Sequence, residues 1–138
     1  VAAEHAEFGL PEPLRGRMAG WGGVHRLPRQ IGLKPAMGYL LTGRHIPAPR
    51  AYELGLVNQV VPLAELDAAV DEWVSDIKRC APLSLRATKE AATRSLEQPL
   101  RQAFYSEYEA VRNMRGSEDG KEGPLAFIEK REPKWKGR

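Results

Sequence analysis

The sequence has little cysteine, no long apolar run and no leader-like start, and each absence narrows the class of protein. Cys80 is the only cysteine in 138 residues, which excludes an internal disulfide and favours a reducing compartment, the cytoplasm by default. No apolar run approaches the roughly 20 residues that a membrane span needs. Val1 to His5 lack the charged-then-apolar pattern of a secretory signal. The chain also begins without Met and enters a strand-like segment at once, as expected of a chain that begins inside a domain.

Metal-binding and serine-hydrolase patterns are missing too. His5, His25 and His45 are isolated from one another, and none has ligand spacing with a cysteine or an acid, so no metal site is predicted. Ser84 and Ser95 lack the glycines of a nucleophile elbow. The sequence therefore gives no support to a metal site or a serine hydrolase.

The charge balance is only mildly basic. Lys and Arg number 21 against 18 acids, a net charge of +3, and only residues 130–138 are markedly basic. Basic residues scattered among acids are typical of a solvated surface or of a site for a phosphorylated small molecule. A nucleic-acid partner is therefore not predicted, although a basic surface keeps that alternative open.

The first 61 residues interleave predicted strands with short helices and indicate an α/β fold. Glycines and prolines punctuate this half and set the predicted ends of its helices. We expect strands within 1–9 and 56–61, and helices from Val24 to Gly32, from Lys34 to Gly43 with Met37, Leu40 and Leu41 as its apolar face, and from Ile46 to Gly55.

From residue 62 onward the pattern is helical. Apolar residues recur at gaps of three and four, which predicts amphipathic helices. The predicted stripes are Leu63, Leu66, Val70, Trp73 and Ile77; then Leu85, Thr88, Ala92 and Leu96; then Leu100, Phe104, Tyr108 and Val111; and a last helix that restarts at Pro124 after a turn capped by Ser117. Trp73 and Cys80 are expected in the core. The helices need partners, which we expect to be both the α/β half and another subunit.

Glu12 is the acid with the most unusual surroundings. It follows an apolar stretch, and Pro11 and Pro13 make the backbone on either side of it rigid. Burial disfavours the charged form of a carboxyl group, so a glutamate in such a turn is a candidate general acid or base. The alternative is a loop acid that accepts hydrogen bonds from nearby amides. The residues alone support both roles equally.

A glycine cluster, Gly20-Trp21-Gly22-Gly23, follows Glu12 and leads into a predicted helix. Such a loop offers free amides and the positive end of a helix dipole to an anion or a water molecule. It lacks the Gly-Lys-Ser/Thr of a phosphate loop, and a tight turn that packs the helix closely is the simpler interpretation. Trp21 either fills the loop or lines a substrate pocket, and we favour the pocket. Trp135 is expected at an interface or beside a ligand.

These motifs resemble the enoyl-CoA hydratase/isomerase (crotonase) family, and the likeness runs through nearly the whole chain. The matching segments are Phe8-Gly9-Leu10-Pro11-Glu12, Gly16, Gly20-Trp21-Gly22-Gly23 with Arg26-Leu27-Pro28, Leu41-Thr42-Gly43-Arg44, Leu54-Gly55-Leu56-Val57-Asn58, Val60-Val61-Pro62, Ala81-Pro82-Leu83, and Ser117 to Phe127 with Glu129-Lys130-Arg131. The tail looks closest to the carnitinyl-CoA dehydratase branch of that family.

The resemblance implies the C-terminal part of a crotonase-type β/α spiral over residues 1–61, followed over 62–138 by a helical trimerisation region. It implies addition or removal of water across the α,β-double bond of a CoA thioester, with no cofactor because coenzyme A is part of the substrate. Glu12 matches the family's second catalytic glutamate, while the first glutamate and both oxyanion-hole amides would lie upstream of Val1. Gly20 and Trp21 would border the substrate. Phe127 and Lys130 match residues that reach a neighbouring subunit's CoA, the ring on adenine and the ammonium near phosphate.

Some positions depart from the family pattern. Ala19 stands in place of a usual proline, Pro13 in place of an apolar residue, and Arg17 and Trp21 in place of smaller or apolar ones. These changes leave the acyl group open. The alternatives are an isomerase of the same fold, with Glu12 as proton shuttle, and an inactive truncated chain that retains only oligomerisation. The resemblance also implies a homotrimer or hexamer. The complete protein is expected to be the enzyme, and the 138-residue chain alone is expected to be inactive.

Overall fold

Short paired strands and helices alternate up to Val61, and the rest of the chain is helical. The structure is a computed structural model that describes residues 1–138. It contains two compact units, Val1–Trp73 and Val74–Arg138. The strands are β1 (Ala2–Ala3), β2 (Glu7–Phe8), β3 (Ile46–Pro47) and β4 (Val60–Val61). The helices are α1 (Gly23–Ile31), α2 (Leu33–Thr42), α3 (Ala48–Glu53), α4 (Leu66–Lys78), α5 (Pro82–Ser95), α6 (Leu100–Tyr105), α7 (Glu109–Arg115) and α8 (Glu118–Glu129).

The strand predicted within residues 1–9 is two strands with different partners. β1 pairs in parallel with β4, Ala2 opposite Val60, and β2 pairs antiparallel with β3, Phe8 opposite Ile46. A turn between them separates the two pairings. The strand predicted over 56–61 is shorter than expected, because the amides of residues 56 and 57 donate to the carbonyl of Ala51 at the end of α3. The α/β character of this half is confirmed.

Glycines end two helices of the first unit as predicted. Gly32 follows α1, and Gly43, in the left-handed region at φ 64°, closes α2 with its amide on the carbonyl of Tyr39. The predicted apolar face of α2 is only partly right, since Ala36 and Leu40 are buried while Met37 and Leu41 are exposed. The core of this unit consists of Ala19, Leu27, Ile31, Ala36, Leu40, Ile46 and Ala51.

The third predicted helix of the second half is two helices. α6 ends at Tyr105 and α7 begins at Glu109, because Ser106 adopts extended geometry at ψ 139°. The Ser106 hydroxyl donates to the side-chain oxygen of Gln98 at 2.9 Å, and the buried ring of Tyr108 packs beneath the break. A contact with the preceding loop therefore interrupts a continuous apolar stripe.

The last helix begins earlier than predicted. Ser117 caps it as expected, its hydroxyl accepting a hydrogen bond from the amide of Gly120 at 2.9 Å. The acids Glu118 and Asp119 occupy the first turn, where the helix dipole favours negative charge, so α8 starts at Glu118 and passes through Pro124. The expected restart at Pro124 is wrong, since the capped turn already begins the helix.

The apolar stripes of α4 and α5 face outward. Ala69 is the buried residue of α4 and Ala87 that of α5. Trp73, expected in the core, is 43% exposed and donates its indole N–H to the side-chain oxygen of Gln59 at 2.7 Å. Cys80, also expected in the core, is exposed. Periodicity identified these faces as apolar but not what covers them. No helix in this chain is long and apolar enough to cross a membrane.

Candidate active site

Glu12 begins a one-turn 3₁₀ helix, Glu12–Arg15, that reverses the chain after β2. Gly16 closes this turn in the left-handed region at φ 65°, and the amide of Arg17 donates to the carbonyl of Glu12 at 3.0 Å. The proline before Glu12 and the proline after it leave few other backbone conformations. The backbone of the glutamate is thus held in a defined turn.

The side chain of Glu12 carries an unsatisfied buried atom. Its Oε2 is shielded from solvent and accepts no hydrogen bond from any group of the chain. Buried polar atoms are nearly always paired, because leaving one unpaired costs about 1–3 kcal/mol. The alternative of a loop acid bonded to nearby amides requires partners for this oxygen, and the chain supplies none to Oε2.

The C-terminal end of α2 packs against the turn that carries Glu12. Gly43 is buried there, and a Cβ built on it would lie 2.8 Å from Cγ of Leu14 and 3.5 Å from Cα of Pro11. A side chain at this position would collide with the turn. The glycine therefore allows the close approach that holds Glu12 in place.

The glycine loop that follows, residues 20–23, makes more contacts within the chain than predicted. The amide of Gly20 donates to the carbonyl of Met18 at 2.7 Å, so it is not free for a ligand in this arrangement. A Cβ on Gly23 would lie 2.9 Å from both Cβ of Ala19 and Cδ1 of Leu10, so this glycine is needed for close packing of α1. Trp21 is 98% exposed, so it does not fill the loop. The substrate-binding roles of Gly20 and Trp21 remain predictions.

A cavity of about 430 Å³ lies elsewhere in the first unit, and sequence reasoning did not find it. Its lining includes the apolar residues Phe8, Leu10 and Ile46 and the basic residues Arg26 and Arg44. Glu7 and His45 form an exposed pair at its edge, the carboxylate Oε2 2.9 Å from the imidazole Nδ1. These two residues are 38 positions apart and meet only through the pairing of β2 with β3.

In the second unit, Phe127 and Lys130 lie at the end of α8. Phe127 is 86% exposed, and Lys130 closes the helix in the left-handed region at φ 54°. The amide of Arg131 then donates to the carbonyl of Ala126 at 3.0 Å. Both candidate CoA-binding side chains are therefore presented on one helix end.

A strong ion pair lies next to that helix end. The Arg131 guanidinium donates to both oxygens of the Glu122 carboxylate at 2.6 and 2.9 Å. This hydrogen bonding, with a further one from the amide of Lys134, lowers the pKa of Glu122 to about 2. The pKa of Arg131 is raised by the same partner. Spacing did not single this pair out. No three His, Cys, Asp or Glu side chains come together in a way that would hold a metal ion.

The first unit thus combines an α/β arrangement with a carboxylate on a rigid turn. Comparison with known proteins shows the class of protein. The family model described as enoyl-CoA hydratase/isomerase matches residues 1–138. The chain is 39% identical over 145 residues to carnitinyl-CoA dehydratase of Escherichia coli strain K12, covering 100% of this chain and 54% of that protein.

Solved structures give the same result. An enoyl-CoA hydratase from Mycobacterium tuberculosis H37Rv is 40% identical with a TM-score of 0.89, covering 99% of this chain and 54% of that one. An enoyl-CoA hydratase from Bacillus anthracis is 38% identical with a TM-score of 0.91, covering 99% and 53%. The chain belongs to the enoyl-CoA hydratase/isomerase family, as its motifs predicted. It spans about half the length of the curated relatives it matches.

Proposed function

We propose that the protein containing this chain is a hydro-lyase that adds water to, or removes it from, 2-enoyl-CoA thioesters. The chain would be its C-terminal portion, with residues 1–61 as the last turns of the β/α core and 62–138 as the oligomerisation region. Relatives named enoyl-CoA hydratase and carnitinyl-CoA dehydratase support this class of reaction. Coenzyme A would be part of the substrate, and no cofactor is required.

Glu12 is the residue that would perform the proton transfer, and its unsatisfied Oε2 is the single observation that carries the proposal. In hydration, the oxygen of water bonds to the β-carbon while a carboxylate takes the water proton. The electrons of the double bond shift toward the thioester, which becomes an enolate with its charge on oxygen. As the enolate collapses, the α-carbon takes the proton back from the carboxylic acid, so the carboxylate is regenerated. A buried carboxylate oxygen with no partner in the chain suits the first of these transfers.

The resemblance supplies the parts that Glu12 alone lacks. A second glutamate would share the positioning of water, and two backbone amides would stabilise the enolate oxygen, where charge develops. In the family pattern these groups precede the segment matched here. Gly20 and Trp21 would border the acyl end of the substrate, while Phe127 and Lys130 would contact the adenine and phosphate of CoA bound to a neighbouring subunit.

Exposed apolar side chains support an oligomer, which we propose to be a trimer or a pair of trimers. In the second unit Leu96, Leu100, Phe104 and Tyr105 are each between 74% and 85% exposed. Phe104 and Tyr105 also pack edge to face, with centroids 5.3 Å apart. Exposed apolar surface on this scale is typical of an interface.

Crotonyl-CoA provides the direct test of the reaction. The protein expressed from the complete reading frame that encodes these residues is incubated with crotonyl-CoA, and the enone absorbance is followed. Hydration predicts that this absorbance falls and that a 3-hydroxyacyl-CoA appears. If the protein instead converts 3-enoyl-CoA to the conjugated thioester and leaves crotonyl-CoA untouched, the isomerase alternative replaces the proposal. Inertness toward both would refute the enzymatic function.

A further inference from the structure

Lys130 has an unusual backbone conformation for its residue type. It is the one residue other than glycine with a positive φ, at 54°. Residues with a Cβ disfavour this left-handed region and occupy it when the surrounding structure holds them there. A glycine would be the usual residue at this end of a helix. The chain reversal at Lys130 is closed by the amide of Arg131, which donates to the carbonyl of Ala126 at 3.0 Å.

The ion pair between Glu122 and Arg131 holds this reversal from one side. Arg131 is the first residue after Lys130, and its fork engages both oxygens of Glu122, nine positions earlier on α8. The carboxylate of Glu122 also accepts a hydrogen bond from the amide of Lys134 at 2.8 Å. Bidentate pairing fixes direction as well as distance, because the planar guanidinium allows one orientation.

The residues after the reversal, 131–138, form a strap along α8. The buried carboxylate of Asp119 accepts hydrogen bonds from the amide of Lys136 at 2.7 Å and from that of Gly137 at 2.8 Å. The indole N–H of Trp135 donates to the carbonyl of Arg79 at 2.8 Å. Lys136 and Arg138 also pair with the carboxylate of Glu118, so the strap is held along its length, beginning at the ion pair next to Lys130.

The same ion pair leaves the Lys130 ammonium without an acidic partner. Glu129, its neighbour in sequence, accepts a hydrogen bond from Nε of Arg131, and Glu122 is occupied by the rest of that guanidinium. Arg131 therefore pairs with both of these acids, and the Lys130 ammonium forms no ion pair with a carboxylate of the chain. An ammonium with no carboxylate partner, on the same helix end as the exposed ring of Phe127, is suited to a phosphate.

We propose that Glu122 and Arg131 are positioning residues for the nucleotide end of CoA. They would hold Lys130 in its left-handed turn and keep its ammonium free for phosphate, without touching the substrate. The inference rests on the proposed function, since it deepens the role of Phe127 and Lys130 there. A purely structural tie would stabilise α8 and the strap but leave the preference for the nucleotide unchanged.

The test compares coenzyme A with pantetheine, which lacks the nucleotide. Dissociation constants for both ligands are measured by isothermal titration calorimetry. Three forms of the protein from the complete reading frame are compared: the unaltered protein, the Glu122→Gln variant, and the Glu132→Gln variant as the matched control. Glu132 is an exposed strap residue whose side chain forms no ion pair in the chain. We expect Glu122→Gln to weaken CoA binding about fivefold, as loss of one exposed phosphate contact would. Pantetheine binding and the control should not change.

Two readouts separate positioning from general destabilisation. The backbone coupling between HN and Hα of Lys130, measured by NMR, reports whether φ remains positive in Glu122→Gln. Arg131→Lys keeps the charge but loses the bidentate fork, and it should reproduce the CoA-specific loss if Glu122→Gln folds poorly. Unchanged CoA affinity in either folded variant would overturn the inference.

Failure of the inference and failure of the proposed function give different results. If the unaltered protein binds CoA no more tightly than pantetheine, the nucleotide contact of Phe127 and Lys130 is wrong, and the inference falls with it. If the unaltered protein prefers CoA and Glu122→Gln prefers it equally, only the positioning role is overturned.

Discussion

Replacing Asp119 with asparagine is the sharpest perturbation of the second unit, because it keeps the shape of the side chain and removes one acceptor. Asp119 is 3% exposed and lies in the first turn of α8. One carboxylate oxygen accepts from the amide of Lys136 and the other from that of Gly137. An asparagine has a single oxygen, so one of these amides would face an NH₂ group that cannot accept its proton.

The expected loss follows from these contacts. Leaving one buried donor without an acceptor costs about 1–3 kcal/mol. The lost negative charge near the helix N-terminus costs about 0.3–1 kcal/mol more. Because Lys136 and Gly137 are exposed, water can reach part of this site, and we expect a total loss of about 2 kcal/mol in the free energy of unfolding.

Urea unfolding followed by far-UV circular dichroism measures this loss. Asp71→Asn is the matched control, since Asp71 is exposed on α4 and forms no ion pair or side-chain hydrogen bond within the chain. We expect the control to change the free energy by less than about 0.5 kcal/mol. Equal stability of the two variants, at the same dependence on urea, would refute the assigned role of Asp119.

Two further substitutions test the Glu122 ion pair and the support of the Glu12 turn. The pKa of Glu122 is lowered from 4.5 to about 2, so its charged form stabilises the fold above pH 4.5 and this contribution is lost as pH falls toward 2. The unaltered protein should therefore exceed Glu122→Gln in stability at neutral pH, and the gap should close over that range in acid-unfolding curves. A gap independent of pH would contradict this, while Glu132→Gln should follow the unaltered protein. Gly43→Ala and Gly55→Ala both place alanine at a positive φ, which costs about 1–2 kcal/mol, but only the Gly43 side chain would meet Leu14. Urea unfolding should show an additional loss of about 1 kcal/mol for Gly43→Ala, and equal losses would argue against the packing described.

Local signals in the sequence were sufficient to predict much of the fold. Gly32 and Gly43 end α1 and α2, and Ser117 caps α8, because each of these residues acts through its own backbone or side chain. The order of motifs was sufficient to predict the family. These features depend on neighbours within a few positions, which a sequence displays directly.

Features that depend on distant contacts could not be predicted. The apolar stripe over 100–111 continues through the break at Ser106, which a hydrogen bond with Gln98 stabilises. The stripe containing Trp73 identified an amphipathic helix but not that its apolar face would be exposed. Periodicity indicates which residues share a face of a helix, but it does not indicate whether that face is buried or exposed.

The candidate site shows the same division. Glu12 was singled out by its flanking prolines, which left a catalyst and a loop acid equally open, and the catalytic role was predicted from the family resemblance alone. Whether Oε2 of Glu12 is buried and unpaired depends on tertiary contacts, which only the structure shows. The pair of Glu122 and Arg131 forms because the chain reverses at Lys130. No glycine stands at this position, so the sequence does not indicate a reversal there.

The rate of crotonyl-CoA hydration after Glu12→Gln tests the central claim most directly. The variant keeps the size and hydrogen-bonding shape of the side chain but cannot take a proton from water. We expect the hydration rate to fall by about 100- to 10,000-fold, the typical loss on removing a general acid–base group. Glu4→Gln, at an exposed residue of the same unit, should retain the activity of the unaltered protein. A folded Glu12→Gln protein that hydrates crotonyl-CoA as fast as Glu4→Gln would contradict the account.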